Sequence, residues 1–207
     1  MKEIDCDYSP LKIKLKETMR SIRDDLTTNI EAVNDEENCL LCKLEEIRKE
    51  CVKMEAIASS FYLTCYLSEF TNKYEEIAKS VQNLSKKKHG AIIVIERTVP
   101  VDTFIQKGVP IGALLTPSLL EAIFYPGNPL HDGAVLVKEN TIISAANVLP
   151  LTSQVITGKK LGTRHRASLG LSDLTDALVL VVSEETGKIS FALNGTLYPI
   201  SNNHEIH

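Results

Sequence analysis

Three short polar segments in the second half of the sequence contain the residue types that could act on a charged substrate. The first, residues 129–134, reads Pro-Leu-His-Asp-Gly-Ala and places the imidazole of His131 beside the carboxylate of Asp132. Such a pair can ligate a divalent cation, and Gly133 would let a ligand approach the backbone closely. A simple turn is the alternative, because Asn-Pro and Asp-Gly are frequent turn dipeptides.

The second segment, Gly162-Thr163-Arg164-His165-Arg166, lies at the start of a predicted helix. Backbone amides at a helix N-terminus and rigid guanidinium groups are what a polyphosphate requires. Between Asn140 and Ser172 there is no Asp or Glu, but there are four Lys or Arg residues, including Lys159-Lys160, and one His. This local positive charge predicts a phosphate site; an exposed basic loop or a protein-binding patch is the alternative.

The third segment, Ser183-Glu184-Glu185-Thr186-Gly187, follows a predicted strand. Its carboxylates could hold Mg²⁺ or Mn²⁺ together with Asp132, although a solvated hairpin tip would look the same. The sequence has no Gly-x4-Gly-Lys-Ser/Thr, Gly-x-Gly-x-x-Gly or Gly-x-Ser-x-Gly motif, so P-loop, Rossmann and serine-hydrolase sites have no support.

Taken together, PLHDGA at 129–134, LPLT at 149–152, GTRHRA at 162–167 and SEETG at 183–187 resemble the diadenylate cyclase family. Its members condense two ATP molecules into cyclic di-AMP. The resemblance covers roughly residues 62–200, and the helical N-terminal extension is similar to that of the sporulation-associated CdaS type. The alternative is a module that binds ATP or cyclic di-AMP without turnover.

The resemblance implies roles for the matching residues. Asp132, with His131 and Glu184, would hold a Mn²⁺ or Mg²⁺ ion, and Asp132 would also help to deprotonate the attacking 3′-hydroxyl. Arg164, His165 and Arg166 would share catalysis with Asp132. The implied ATP-binding residues are Gly133, Ala134, Leu149, Thr163, Arg164, His165, Arg166 and Ala167. Val148 stands where some relatives have an aromatic residue beside the base, which predicts weaker stacking on adenine.

The distribution of glycine and proline predicts the elements that must position these residues. Between Pro10 and Gly90 there is neither residue, whereas all ten Gly and seven of the eight Pro lie in 90–207. Both residues interrupt helices, so the first part should be helical and the second mixed. We therefore expect an α/β (α+β) fold with a mixed central sheet flanked by helices. Residues 1–60 would form an N-terminal helical hairpin and 61–207 the catalytic domain.

Apolar residues at helical spacing support this hairpin, with a turn expected at Asn34-Asp35. The first stripe is Leu11, Leu15, Met19, Ile22, Leu26 and Ile30; the second is Leu40, Leu44, Ile47, Cys51, Met54, Ala58 and Phe61. The second repeats as a heptad and suits a hairpin or another subunit. A third helical segment, from Tyr62 to Leu84, should pack on the catalytic domain.

Alternating patterns after residue 90 predict a mixed sheet with a tight antiparallel connection at Glu139-Asn140. The expected strands are Ala91–Glu96, Ala134–Lys138, Thr141–Leu149, Leu178–Ser183 and Ile189–Leu193. The expected helices are Asp102–Lys107, Pro117–Phe124 and a segment after Arg166.

The net charge of −4 argues against non-specific binding to nucleic acid or an anionic membrane. No apolar run suits a membrane span, no signal peptide is evident, and the five cysteines do not resemble a disulfide framework.

Cys39 and Cys42 should be thiols rather than zinc ligands, and His89 should be solvated. We expect a cytoplasmic protein without DNA or membrane partners. The resemblance implies a homo-oligomer, such as a hexamer, with facing active sites. The apolar heptad stripe leads us to expect that residues 1–60 fix this assembly and restrain activity; the alternative is that the hairpin only completes the core of its own subunit.

Overall fold

The computed structural model of the chain describes residues 9–33, 39–153 and 161–200. Helices α1 (Ser9–Glu31) and α2 (Leu40–Ser68) pack against each other and form the predicted N-terminal hairpin. Its apolar faces are only partly covered: Met19 is 54% exposed and Ile30 is 73% exposed. The expected turn at Asn34-Asp35 lies outside the described residues.

Helix α3 (Tyr74–Lys87) is separate from α2, so the prediction of one helical segment over residues 62–84 is wrong. A residue from the second half of the chain, Asn140, stabilises this break between α2 and α3. Asn140 Oδ1 accepts hydrogen bonds of 3.0 Å from Thr71 Oγ1 and from the Asn72 amide. Because Asn140 is distant in sequence, the local pattern could not indicate this break.

Seven strands form one mixed sheet in the spatial order β2-β4-β3-β1-β5-β6-β7. Strands β1 and β3 are parallel, and the other neighbouring pairs are antiparallel. The strands and remaining helices are β1 (Ala91–Glu96), β2 (Val109–Leu114), α4 (Pro117–Ile123), β3 (Ala134–Lys138), β4 (Thr141–Asn147), α5 (Thr163–Leu174), β5 (Leu178–Val182), β6 (Ile189–Leu193) and β7 (Thr196–Ile200). This arrangement confirms the predicted fold class and the β3–β4 hairpin.

Helices cover both faces of the sheet. Helix α5 packs on one face, whereas α3, α4 and the C-terminal part of α2 pack on the other. All six residues of β1 are buried, as expected for a central strand that contacts an apolar layer on each side. Leu63 and Leu67, late in α2, belong to this core. The late part of α2 therefore packs on the second half of the chain, as predicted.

The end of α2 is also held by Arg97, which follows β1. Its guanidinium carbon lies 4.5 Å from the ring centroid of Phe70, a cation–π contact. The expected domain boundary at residue 60 falls inside the continuous helix α2 and stays a prediction.

Two edge strands and one turn differ from the sequence prediction. Strands β2 and β7 were not predicted, because each contains a proline, Pro110 or Pro199, which a sheet tolerates at its edge. The predicted helix Asp102–Lys107 is instead a turn. It ends in an antiparallel bridge in which Gln106 and Val148 exchange two backbone hydrogen bonds of 2.9 Å.

The expectation of thiols at Cys39 and Cys42 is also wrong, because the structure joins the two residues in a disulfide. Cys39 is the N-cap of α2 and has non-helical backbone angles, which bring its Cα to 5.3 Å from that of Cys42. That separation lies in the range that a disulfide spans.

Candidate active site

Strand direction brings the three polar segments to one end of the sheet. Strands β1 and β3 are parallel, so both begin here, after Gly90 and after residues 131–133. Strands β4 and β5 run in the opposite direction, so Val148 and Glu184, which follow them, lie at the same end. The first turn of α5 completes the group through Arg164, which contacts the loop after β5.

The turn before β3 fixes the orientation of His131. The Asn128 side chain accepts from the Leu130 amide at 2.9 Å, and the Asn128 carbonyl accepts from the His131 amide at 3.0 Å. The same carbonyl contacts Nδ1 of the His131 ring at 2.5 Å. A carbonyl only accepts, so Nδ1 is the donor in this contact, and in the neutral imidazole Nε2 then has the free lone pair. His131 is half-buried and its neighbour Asp132 is exposed.

Gly133 adopts a backbone conformation with φ of 126°, which disfavours any other residue. A Cβ at this position would lie 2.7 Å from the carbonyl carbon of Ala146 in β4. The strand pairing shifts register here, and Ala146 has a φ of 55°. The segment after Asp132 therefore lies directly on a β-bulge, and both a turn and a close backbone approach require this glycine.

Arg164, in the first turn of α5, lies in a fixed position. Its Nη1 is 2.6 Å from Oε2 of Glu184. On another side it lies against the backbone of Gly90, where a Cβ would be 2.6 Å from its Cζ. The Arg164 side chain is 25% exposed and that of Glu184 is 63% exposed, so the pair faces solvent at the rim. The Glu184 carboxylate thus holds one edge of the guanidinium, and the absence of a side chain at Gly90 leaves space for the Arg164 side chain.

The other residues of the α5 motif are oriented in different ways. Thr163 and Arg166 are exposed, whereas Ala167 is buried under the helix. His165 is half-buried, and this burial lowers the pKa of its imidazole below the ordinary value. His165 is therefore neutral at neutral pH, so the positive charge of the motif comes from Arg164 and Arg166. Lys159 and Lys160, which were expected to add to it, lie outside the described residues.

Asp132 and His131 are the side chains that best suit a divalent cation at this end of the sheet. A carboxylate next to an imidazole whose Nδ1 is anchored to a carbonyl is a common donor arrangement for metals. Among the described residues, no three His, Cys, Asp or Glu side chains are grouped to hold an ion. The donor set therefore fits a cation that takes its remaining ligands from phosphate oxygens and water. Glu184 contacts Arg164, and its predicted role as a ligand stays a prediction.

The two residues expected near the base differ in exposure. Val148 is 58% exposed beside the site, whereas Leu149 is 7% exposed and belongs to the core under α5. Ala134, the first residue of β3, is fully buried. The backbone of this region is thus well anchored, and Val148 presents the accessible side chain.

Sequence reasoning missed two features of the site. Gly90 was noted only as the end of the glycine-free region, although a lone glycine just before a buried strand can signal a close contact. The expectation of a solvated His89 is wrong: its half-buried ring packs edge-on against Tyr125, with centroids 5.7 Å apart. Tyr125 is distant in sequence, so no local pattern pointed to this contact. His204 and His207 lie outside the described residues.

Comparison with known proteins identifies two family models. Residues 78–197 match the model described as "DisA bacterial checkpoint controller nucleotide-binding". Residues 2–70 match the model described as "Diadenylate cyclase CdaS, N-terminal". The first match covers the part of the chain that forms the sheet, and the second covers the N-terminal helical part.

Several relatives match over most of their length. The chain is 53% identical to cyclic di-AMP synthase CdaS of Bacillus subtilis (strain 168), covering 91% of each protein. It is 51% identical to diadenylate cyclase CdaS of Bacillus thuringiensis (strain BMB171), covering 92% of this chain and 95% of the relative.

A crystal structure titled as a hypothetical membrane spanning protein from Bacillus cereus superposes with a TM-score of 0.74. It is 50% identical and covers 93% of this chain and 95% of its own. DacA from Staphylococcus aureus gives a TM-score of 0.59 at 40% identity, covering 62% of this chain and 86% of its own. Within the ranges that the structure describes, none of the helices has the length and apolarity needed to cross a bilayer.

Proposed function

The chain belongs to the diadenylate cyclase family, and we propose how its site condenses two ATP molecules into cyclic di-AMP and two pyrophosphate ions. The observation that carries the proposal is that the Asp132-Gly133 segment and Arg164 lie at one end of the sheet, although a long stretch of chain separates them. The reaction needs a 3′-hydroxyl of one ATP to attack the α-phosphorus of another. A site for it must position phosphates and neutralise their charge.

Asp132 and His131 would hold the divalent metal on which these cyclases depend, Mn²⁺ or Mg²⁺. When bound, the cation would supply positive charge at the phosphates and lower the pKa of a nearby hydroxyl. Asp132 is exposed, so its carboxylate can reach a nucleotide and accept the 3′-hydroxyl proton. His131 would offer Nε2, because Nδ1 is engaged by the Asn128 carbonyl.

The first turn of α5 would bind the triphosphate. Its first backbone amides, which the N-cap Gly162 leaves without a side-chain cap, the Thr163 hydroxyl and the guanidinium groups of Arg164 and Arg166 are donors that suit phosphate oxygens. Neutral His165 would contribute a hydrogen bond rather than a charge. Glu184, by pairing with Arg164, would orient that guanidinium toward the leaving pyrophosphate.

Gly133 and Ala134 would place backbone next to the nucleotide, and the segment Val148-Leu149 would form the base side of the pocket. The small side chain of Val148 gives adenine an apolar contact without aromatic stacking. We expect base selectivity to depend on backbone donors and acceptors more than on stacking.

Two copies of the site must face each other to close the cyclic product, so we propose a homo-oligomer, such as a hexamer, as the active species. The partly exposed apolar faces of α1 and α2 supply surface for a second copy of this chain: Met19, Ile30 and Leu44 are 54%, 73% and 45% exposed.

We propose that residues 1–60 fix an assembly in which the catalytic domains are held apart. The N-terminal helices would then restrain activity. We propose a role in sporulation on the resemblance of the N-terminal helices to the sporulation-associated CdaS type.

The proposal is tested by incubating the purified chain with ATP and Mn²⁺ or Mg²⁺ and measuring cyclic di-AMP by mass spectrometry. Asp132→Asn keeps the shape of the side chain and removes a charged ligand, so turnover should be abolished while much ATP binding remains. ATP binding is followed as a rise in melting temperature. Normal turnover by Asp132→Asn would overturn the role of Asp132, and absence of product from the wild-type chain would overturn the activity.

A further inference from the structure

We propose that Asn147, at the C-terminal end of β4, is a positioning residue for the cyclase reaction. It would hold the Asp132-Gly133-Ala134 segment in register with the base-side segment Val148-Leu149. The inference rests on the proposed roles of those two segments and extends them to a residue that touches neither substrate nor metal.

The Asn147 side chain connects its own strand β4 to two segments that are distant in sequence. Its Nδ2 donates to the carbonyl of Ala134 at 2.8 Å. Its Oδ1 accepts from the amide of Gly108 at 3.0 Å and from the hydroxyl of Ser144 at 2.9 Å. Asn147 is 1% exposed, so these bonds form away from solvent, where an unpaired polar group would be costly. A buried amide with both ends engaged has one defined orientation.

Two of the three bonds of Asn147 reach segments at the active site. Ala134 begins β3 directly after Asp132 and Gly133. Gly108 follows the bridge between Gln106 and Val148, so the bond to its amide ties the loop before β2 to the base side of the pocket. Asn147 is therefore a common anchor for the metal side and the base side of the site.

The backbone at this point departs from regular strand pairing. The β3–β4 ladder shifts between the pairs Ala134–Asn147 and Leu136–Ser144. The intervening Ala146 has a φ of 55° and lies directly under Gly133. A bulge leaves ladder groups without their regular partners, and side chains commonly satisfy them. The Asn147 side chain donates to the carbonyl of Ala134 at this irregularity.

The test compares the wild-type chain with Asn147→Asp and Asn147→Ser at saturating ATP and Mn²⁺. An Asp carboxylate can still accept from Gly108 and Ser144, but it donates to the Ala134 carbonyl only when protonated. Asn147→Asp should therefore lose at least about tenfold in kcat near pH 8, because small misplacements of reacting groups are costly. The ratio of its kcat to wild type should recover as the pH is lowered toward about 6, where burial favours the protonated acid.

Asn147→Ser has no titrating group and is too short to bridge the same atoms, so its loss of kcat should be independent of pH. In both variants the affinity for ATP should fall by less than kcat, because the base side of the pocket is loosened while the triphosphate contacts of Arg164 and the α5 motif remain. Ser144→Ala, which removes one bond to Oδ1 and keeps the bond to Ala134, should retain nearly wild-type kcat. Val137→Ala, in the buried part of β3 away from the site, controls for general loss of stability.

The inference is overturned if either Asn147 variant has the kcat of Val137→Ala at an equal loss of melting temperature. It is also overturned if the kcat ratio of Asn147→Asp does not change with pH. If Asn147→Asp does not fold near pH 8, the test is decided by Asn147→Ser and by the measurements on Asn147→Asp at low pH. Absence of product from the wild-type chain would instead contradict the proposed function, so the two failures are distinguishable.

Discussion

Nη1 of Arg164 lies 2.6 Å from Oε2 of Glu184, which joins the first turn of α5 to the loop after β5. The Glu184 side chain is 63% exposed, so the ion pair itself stabilises the fold little. Its importance is geometric. The carboxylate holds one edge of a guanidinium that is otherwise free to meet a phosphate.

Replacing Glu184 by Gln should raise the KM for ATP several-fold while the melting temperature changes little. The neutral amide holds the guanidinium less firmly, so Arg164 loses its fixed orientation. Initial rates of cyclic di-AMP formation at varied ATP concentration measure the effect.

Varying the metal in the same assay separates the two roles considered for Glu184. If the residue orients Arg164, the Mn²⁺ concentration for half-maximal rate stays at the wild-type value. If it is a metal ligand, that concentration rises, and the orienting role is contradicted. Glu185→Gln, at the exposed neighbouring carboxylate, is the matched control.

Gly90→Ala should impair ATP binding without unfolding the protein. The added Cβ would lie 2.6 Å from Cζ of Arg164, and the end of this flexible side chain can move away at small cost in stability. The displaced guanidinium no longer meets the phosphates, so the KM for ATP should rise. Calorimetry of ATP binding and thermal melts measure the two effects.

Gly162→Ala is the comparison for that experiment. A Cβ there meets no atom of the described residues within 4 Å, so Arg164 should keep its position. An equal loss of ATP affinity in both variants would show that the contact between Gly90 and Arg164 is not the cause.

A chain that begins at Ser60 should make cyclic di-AMP several-fold faster per protomer than the full chain. It lacks the apolar hairpin face proposed to fix the restrained assembly, but it keeps the core residues Leu63 and Leu67. The measurement is the rate at equal protomer concentration, together with the mass of the assembly from light scattering. An equal or lower rate would refute restraint by the helices.

Stability should depend on pH through His165. Burial lowers the pKa of this imidazole below its ordinary value of 6.5, so in the folded state the neutral form is favoured. The unfolded chain takes up the proton first as the pH falls. The contribution of His165 to stability is therefore complete above about pH 6.5 and is lost below it.

Thermal melts at about pH 7.5 and pH 5.5 measure this dependence. Wild type should lose more melting temperature over that interval than His165→Gln, which cannot titrate. Identical losses in both proteins would show that His165 does not carry the effect.

Several features of the fold were determined by local sequence. The distribution of glycine and proline predicted that the first part is helical. The alternation of apolar residues predicted β1, β3, β4, β5 and β6. Both signals are local, because hydrophobic periodicity and helix-breaking residues act over only a few positions. The edge strands β2 and β7 were missed because Pro110 and Pro199 argue against a strand unless its place at the edge is known. The separation of α2 from α3 depends on Asn140, which no window around residue 70 contains.

The site likewise has features that the sequence predicts and features that only the structure reveals. The motifs around Asp132, Arg164 and Glu184 were visible in the sequence as chemistry, since their residue types and order suffice to recognise the family. Only the tertiary structure placed Gly90 against Arg164, and only it made Asn147 a link between Ala134 and Gly108. Those relationships follow from strand direction and from a bulge in the ladder. They depend on which segments become neighbours in space, and that is decided by the packing of the whole sheet.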